Sequence, residues 1–369
     1  MKLNYFKNLD GFRFFCFLSV FLFHSFHTDS TAIKQSAIYN AVKIETFNNG
    51  NIGVYFFFVL SGFLITYLAL HEKNEQGNIH VLKFWMRRIL RIWPLYFICL
   101  VIGFIGYPLL KSYTGETSLE TANIYYYISF WSNFDMIKNG LPDASILGAL
   151  WSIAVEEQFY LIWPIFLYFT PIKKFWIVPS FFIGLSLVFR FFNANYNAIE
   201  YHTLSCIGDL SIGALIAWLI FSKESFTSYL ERLSTPFIYS VYSSFILLFV
   251  FRDDLSALFP NFRLIDRTIF SLIGGFIILE QTFAKNSFYK FANLKRISSL
   301  GKYTYGMYCL QFVGILIVLK TAKIIGFSDS LSKVMLIDPI FSLLVVIGLA
   351  YLSYHVFEKH FLKLKEKFK

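Results

Sequence analysis

Ten stretches of this chain read as membrane spans: 11–27, 52–70, 89–110, 146–169, 175–191, 203–221, 237–251, 267–284, 303–320 and 335–357. A span needs about 20 mostly apolar residues. In hydrocarbon every backbone N–H and C=O must be satisfied within the protein, which these runs achieve as helices. The fold class expected is therefore all-α: a polytopic membrane helix bundle of about ten transmembrane helices in a single membrane-embedded domain over 1–369. Composition agrees, with 56% hydrophobic and only 15% charged residues. A soluble domain carries about 25% charged residues. A soluble enzyme, a disordered chain and a nucleic-acid-binding domain are excluded on these grounds.

The net charge of +10 says less than its placement. With the N-terminus inside, 22 of the 33 Lys and Arg fall in inside segments, chiefly 71–91, 284–302 and the stretch after His355. That bias predicts both termini cytoplasmic. The first apolar run lacks a small-residue cleavage site and reads as a retained span. Cys16, Cys99, Cys206 and Cys309 lie in apolar runs without a CxxC pair, so neither a disulfide framework nor a metal site is expected. Two connections are long, 28–51 and 111–145. The second holds Tyr125, Tyr126, Tyr127, Phe130, Trp131 and Phe134, an aromatic cluster that reads as a helix lying in the membrane interface.

Charged groups within spans cost a few kcal/mol each and demand a reason. Arg13 and His24 are 11 residues apart, about three turns, so they share a helix face roughly 16 Å apart along the axis. Asp10 stands one turn before Arg13. The fourth run carries Glu156, Glu157 and Gln158. Ser152, Glu156 and Tyr160 fall on one face, while Glu157 points about 100° away. Each glutamate reads either as an ion-pair partner of Arg13 or Arg190 or as a carboxylate that orients a catalytic histidine. Arg87, Arg88 and Arg91 fall on one broad helix side at the cytoplasmic entrance of the third run. They read as positive-inside anchors or as an anion site, since guanidinium forks match phosphate oxygens. Ser61-Gly62 permits close helix approach and places a hydroxyl in the second run. Asp209 is a further intramembrane carboxylate. The roles of Glu157, Asp209 and Gln311 stay open.

In order, Leu9-Asp-Gly-Phe-Arg13 with His24, Phe57-Phe-Val-Leu-Ser-Gly-Phe-Leu-Ile65, Arg87-Arg-Ile-Leu-Arg-Ile-Trp-Pro-Leu-Tyr96 and Trp151-Ser-Ile-Ala-Val-Glu-Glu-Gln-Phe-Tyr160 resemble the acyltransferase-3 family of bacterial membrane acyltransferases. Leu300-Gly-Lys-Tyr-Thr-Tyr-Gly-Met-Tyr308 and Glu358 also resemble family positions. The resemblance implies a cytoplasmic acyl-CoA donor, with acetyl-CoA the default, and a cell-surface or exported carbohydrate as acceptor. It implies His24 as catalytic base, with Glu156 and Arg13 supporting it. Arg88 and Arg91, with Arg87 and Ser61, are implied on the donor side. No permanently bound cofactor is expected, and the location implied is the bacterial cytoplasmic membrane. The competing class is a non-catalytic transporter or flippase of glycans, which also keeps charges along a pathway. A transporter favours inverted repeats, and no internal repeat is legible here.

Overall fold

The computed structural model describes residues 6–193, 195–259 and 261–368. The described residues are helical, with no strand among them. A helix overlaps each of the ten apolar stretches: α1 (Lys7–Phe23), α2 (Ile52–Gln76), α3 (Val81–Val101), α4 (Leu150–Phe169), α5 (Ile177–Phe192), α6 (Thr203–Ser222), α7 (Thr235–Val250), α8 (Phe262–Phe283), α9 (Thr304–Ile324) and α10 (Asp338–Ser353).

Six helical stretches are long and apolar enough to cross a membrane: Ala37–Gln76, Val81–Tyr113, Ile172–Phe192, Tyr196–Ser222, Lys295–Ile324 and Lys333–Phe368. A seventh is added if Glu224–Glu231 and Thr235–Val250, bent by 88°, form one span. The remaining helices fall short for physical reasons. Helix α1 has only 17 residues. Helix α4 carries Glu156, Glu157 and Gln158, and α8 carries Arg263, Asp266, Arg267 and Glu280. The aromatic stretch expected to form one interfacial helix is two short helices, Ile124–Ile128 and Ser132–Asn139, with Phe130 between them at φ 58°.

The chain divides into two compact units. The arginine unit contains Phe58–Ser228 and the segment from Tyr354 onward. Within it α3 packs on α4, α4 on α6, and α5 on α6. Helices α2 and α6 approach closely enough to exclude side chains. A Cβ on Gly62 would stand 1.9 Å from the Leu210 carbonyl oxygen, and one on Gly213 would stand 1.9 Å from that of Val59. Glycine at both positions is therefore a steric requirement of this contact.

The histidine unit contains Phe6–Phe57 and Tyr229–Ser353. Helix α1 packs on α8 and α9, and α9 on α10. Two of its buried carboxylates are paired across elements: Arg252 Nε donates to Asp266 at 2.7 Å, and the Tyr242 hydroxyl donates to Glu280 at 3.0 Å. Such pairing is what low-dielectric burial requires of charged groups.

Candidate functional site

In the arginine unit two indoles fasten α3 to α4. Trp85 Nε1 donates to the Tyr160 carbonyl oxygen at 3.1 Å, and Trp93 Nε1 donates to Glu157 Oε2 at 2.8 Å. Between them on α3 stands Arg88. Its guanidinium lies over the rings of Phe84 (5.7 Å) and Tyr160 (5.8 Å). The Arg88 Nε is buried without a hydrogen-bond partner, and Arg88 forms no ion pair among the described residues. Ring faces attract a cation but do not satisfy its N–H donors. A half-buried guanidinium with its Nε left in that state is suited to an anionic or strongly accepting ligand.

Tyr160 links this cation to a carboxylate. Its hydroxyl and that of Ser61 on α2 lie 2.5 Å apart. The Glu156 carboxylate faces the same hydroxyl pair, with the Arg91 and Arg88 charges acting on it. Gln158, one position beyond Glu157, is fully engaged elsewhere. Its amide donates to the Phe130 carbonyl at 2.8 Å and to Asn133 at 3.0 Å, and its carbonyl accepts from Thr203. The three consecutive polar residues of α4 thus face three different surroundings, as their 100° spacing requires.

In the histidine unit α1 ends at Phe23, and His24 is its C-terminal cap. The His24 backbone N–H returns to the carbonyls of Val20 and Phe21, both at 3.1 Å. Ser25 Oγ donates to the Phe21 carbonyl at 2.7 Å, and Lys43 Nζ donates to that of Phe23. The terminal carbonyls of α1 are thereby satisfied. The His24 ring packs edge-on between Phe23 (4.7 Å) and Phe312 of α9 (4.6 Å). His27 Nε2 donates to the His24 carbonyl oxygen at 2.7 Å. The titratable groups acting on the imidazole within the described residues are Lys43 and His27.

The expected residues therefore fall into two groups. Arg88, Arg91, Arg87, Ser61 and Glu156 belong to the arginine unit, and Arg13 and His24 to the histidine unit. Arg13 and His24 are both held by α1, and Arg13 pairs with Asp10 at 2.5 Å. Arg87 is engaged internally: it pairs with Glu72 at 2.7 Å and donates to the Phe368 carbonyl at 2.9 Å. Arg91 is exposed and Arg88 is not. Glu157 is held by Trp93, and Asp209 is fully buried on α6. Gln311 Nε2 donates to the Tyr308 carbonyl at 3.1 Å. Trp85, Trp93, Lys43 and Phe312 were not singled out in the sequence. The two tryptophans flank the arginine cluster and were legible as neighbours; the other two meet His24 only through folding.

Comparison with known proteins gives the family of the chain. The acyltransferase-domain model of the acyltransferase-3 family matches residues 6–355, so the chain belongs to that family. The O-acetyltransferase OatA of Staphylococcus aureus (strain NCTC 8325) is 27% identical over 327 residues, covering 84% of this chain and 50% of the relative. A putative O-acetyltransferase of S. aureus (strain COL) is 29% identical over 230 residues, covering 59% of this chain and 35% of the relative. The chain spans about half the length or less of these curated relatives. No solved structure matches it.

Proposed function

We propose that this chain is a multi-pass O-acyltransferase of the bacterial cytoplasmic membrane. It moves an acyl group, acetyl by default, from cytoplasmic acyl-CoA to a hydroxyl of a cell-surface or exported carbohydrate. Its about ten spans leave both termini in the cytoplasm, so that Arg87, Arg88 and Arg91 stand at the donor's point of entry. The family and the printed names of the S. aureus relatives support the acyl-transfer reading. The observation that carries the donor reading is Arg88, a guanidinium half-buried against two rings, with its Nε unpartnered.

Arg88 and Arg91 hold the donor's anionic groups. The Ser61–Tyr160 hydroxyl pair and Glu156 form the polar wall beside them. His24 is the general base: it takes the proton of the acceptor hydroxyl as that oxygen attacks the thioester carbonyl carbon. The C–S bond then breaks and the thiolate leaves as CoA, taking up a proton. Arg13, fixed by Asp10, supports the charge that develops on the carbonyl oxygen. The Phe23 and Phe312 rings hold the imidazole plane, and among the described residues of its unit no carboxylate bonds its nitrogens.

The test is consumption of acetyl-CoA by the purified protein, with and without a glycan acceptor. It is paired with mass spectrometry of surface glycans from cells with and without the gene. Acceptor-dependent CoA release and one acyl-sized mass difference are expected. CoA release that ignores the acceptor, with unchanged glycan masses, contradicts the proposal.

A further inference from the structure

Two buried atoms in the arginine unit are unpartnered and opposite in character: the Arg88 Nε, a donor, and the Glu157 Oε1, an acceptor. They belong to facing helices, α3 and α4, in the interval that the Trp85–Tyr160 and Trp93–Glu157 bonds bracket. The two charges act on each other electrostatically, yet they form no salt bridge. The other oxygen of Glu157 is fixed by Trp93 at 2.8 Å, so the carboxylate is not free to swing toward the arginine. Arg88 is in turn held over the Phe84 and Tyr160 rings. Opposite charges kept apart in a low-dielectric interior forgo a large attraction. An unsatisfied buried donor and acceptor each add a further desolvation cost.

One ligand group satisfies both. A trans secondary amide is planar, and its C=O and N–H point in opposite directions. We infer that the Arg88–Glu157 pair is a seat for a secondary amide of a substrate, its carbonyl accepting from Arg88 Nε and its N–H donating to Glu157 Oε1. The inference rests on the transferase reading above and assigns Glu157 a recognition role beside the donor-phosphate role of Arg88. Two sources supply such an amide: the pantetheine arm of the acyl-CoA donor, and an acetamido sugar in the acceptor.

The pair discriminates by polarity, which makes the test sharp. Glu157→Gln keeps the size of the side chain, and its carbonyl still accepts from Trp93. Its NH2 then stands where Oε1 stood, so an acceptor becomes a donor. Equilibrium binding to the full detergent-solubilised chain is measured for CoA and for CoA analogues in which one arm amide N–H is replaced by an ester oxygen. The wild type is expected to prefer the natural amide by about tenfold or more, because the ester oxygen faces a carboxylate oxygen. In Glu157→Gln that preference is expected to vanish or reverse. A side chain with a purely structural role would shift both affinities together.

The same pair of proteins is tested with an N-acetylglucosamine oligomer and its 2-O-acetyl counterpart. Loss of the amide preference in the CoA series alone assigns the seat to the donor, and loss in the sugar series alone assigns it to the acceptor. A preference unchanged by Glu157→Gln in both series overturns the inference, and a water bridging the two atoms then becomes the explanation. Failure of the wild type to bind CoA at all contradicts the donor reading instead, and leaves the amide seat to be decided by the sugar series.

Discussion

The residues around Glu157 and those around His24, in different units, are held in different ways. In the arginine unit polar side chains meet polar side chains: Ser61 with Tyr160, Trp93 with Glu157, Gln158 with Asn133 and Thr203. In the histidine unit His24 is lodged between phenylalanine rings at a helix end, near Lys43 and His27. In the proposed function, the difference separates recognition from proton transfer. A dense network fixes the shape of a ligand pocket and specifies what fits it. A base held by ring packing keeps its nitrogens available to a substrate.

If the arginine unit works through a rigid network, its largest vulnerability is the contact that frames it. Gly213→Val sets a branched side chain against the Val59 backbone and is expected to abolish folded protein, read as loss of the monodisperse elution peak in detergent. A well-folded Gly213→Val would show that α2 and α6 are not committed to this contact. The donor site itself comes next. Arg88→Ala is expected to weaken CoA binding about 10- to 100-fold, the scale of a charge-assisted hydrogen bond, while Lys295→Ala leaves it unchanged. Equal effects in a binding titration would reduce the arginines to membrane anchors.

On the histidine side the expected effects are smaller. Phe312→Ala removes one of the two rings beside His24. It is expected to lower kcat several-fold with KM for the donor unchanged, since only the base is loosened. A change in KM alone would place Phe312 in binding instead. The smallest effect concerns Asp329, outside the spans. The Thr28 hydroxyl and Lys333 hold its carboxyl below the ordinary aspartate range. A depressed native value stabilises the fold above the unfolded pKa of about 3.9, and that contribution is lost as pH falls through the native value. Asp329→Asn should therefore lower the thermal midpoint by a degree or two at pH 7, and the difference from wild type should shrink at acid pH. A difference that grows on acidification would reverse the sign of this account.

Much of this was legible before the structure. Every apolar run overlaps a helix because a helix satisfies its own backbone hydrogen bonds where the side chains offer none. Arg13 and His24 share α1 because spacing along one helix is a local property. The close approach at Gly62 was legible for the same reason, since a small residue in a span leaves room for a neighbour. Contacts between distant segments were not. That Phe312 meets His24, or that Arg87 turns to Glu72 and Phe368, depends on packing across more than two hundred residues of chain in each longest case. The expected single interfacial helix failed at Phe130, where a left-handed backbone conformation interrupts an otherwise helix-compatible aromatic run.

The division between recognition and proton transfer is tested most directly on one purified variant, His24→Ala. Acyl transfer to a glycan and equilibrium binding of CoA are measured on the same sample. The account predicts transfer lowered by a factor on the order of 10²–10⁴, the scale of general-base catalysis, with CoA affinity equal to wild type. Transfer that survives at the wild-type rate would contradict it.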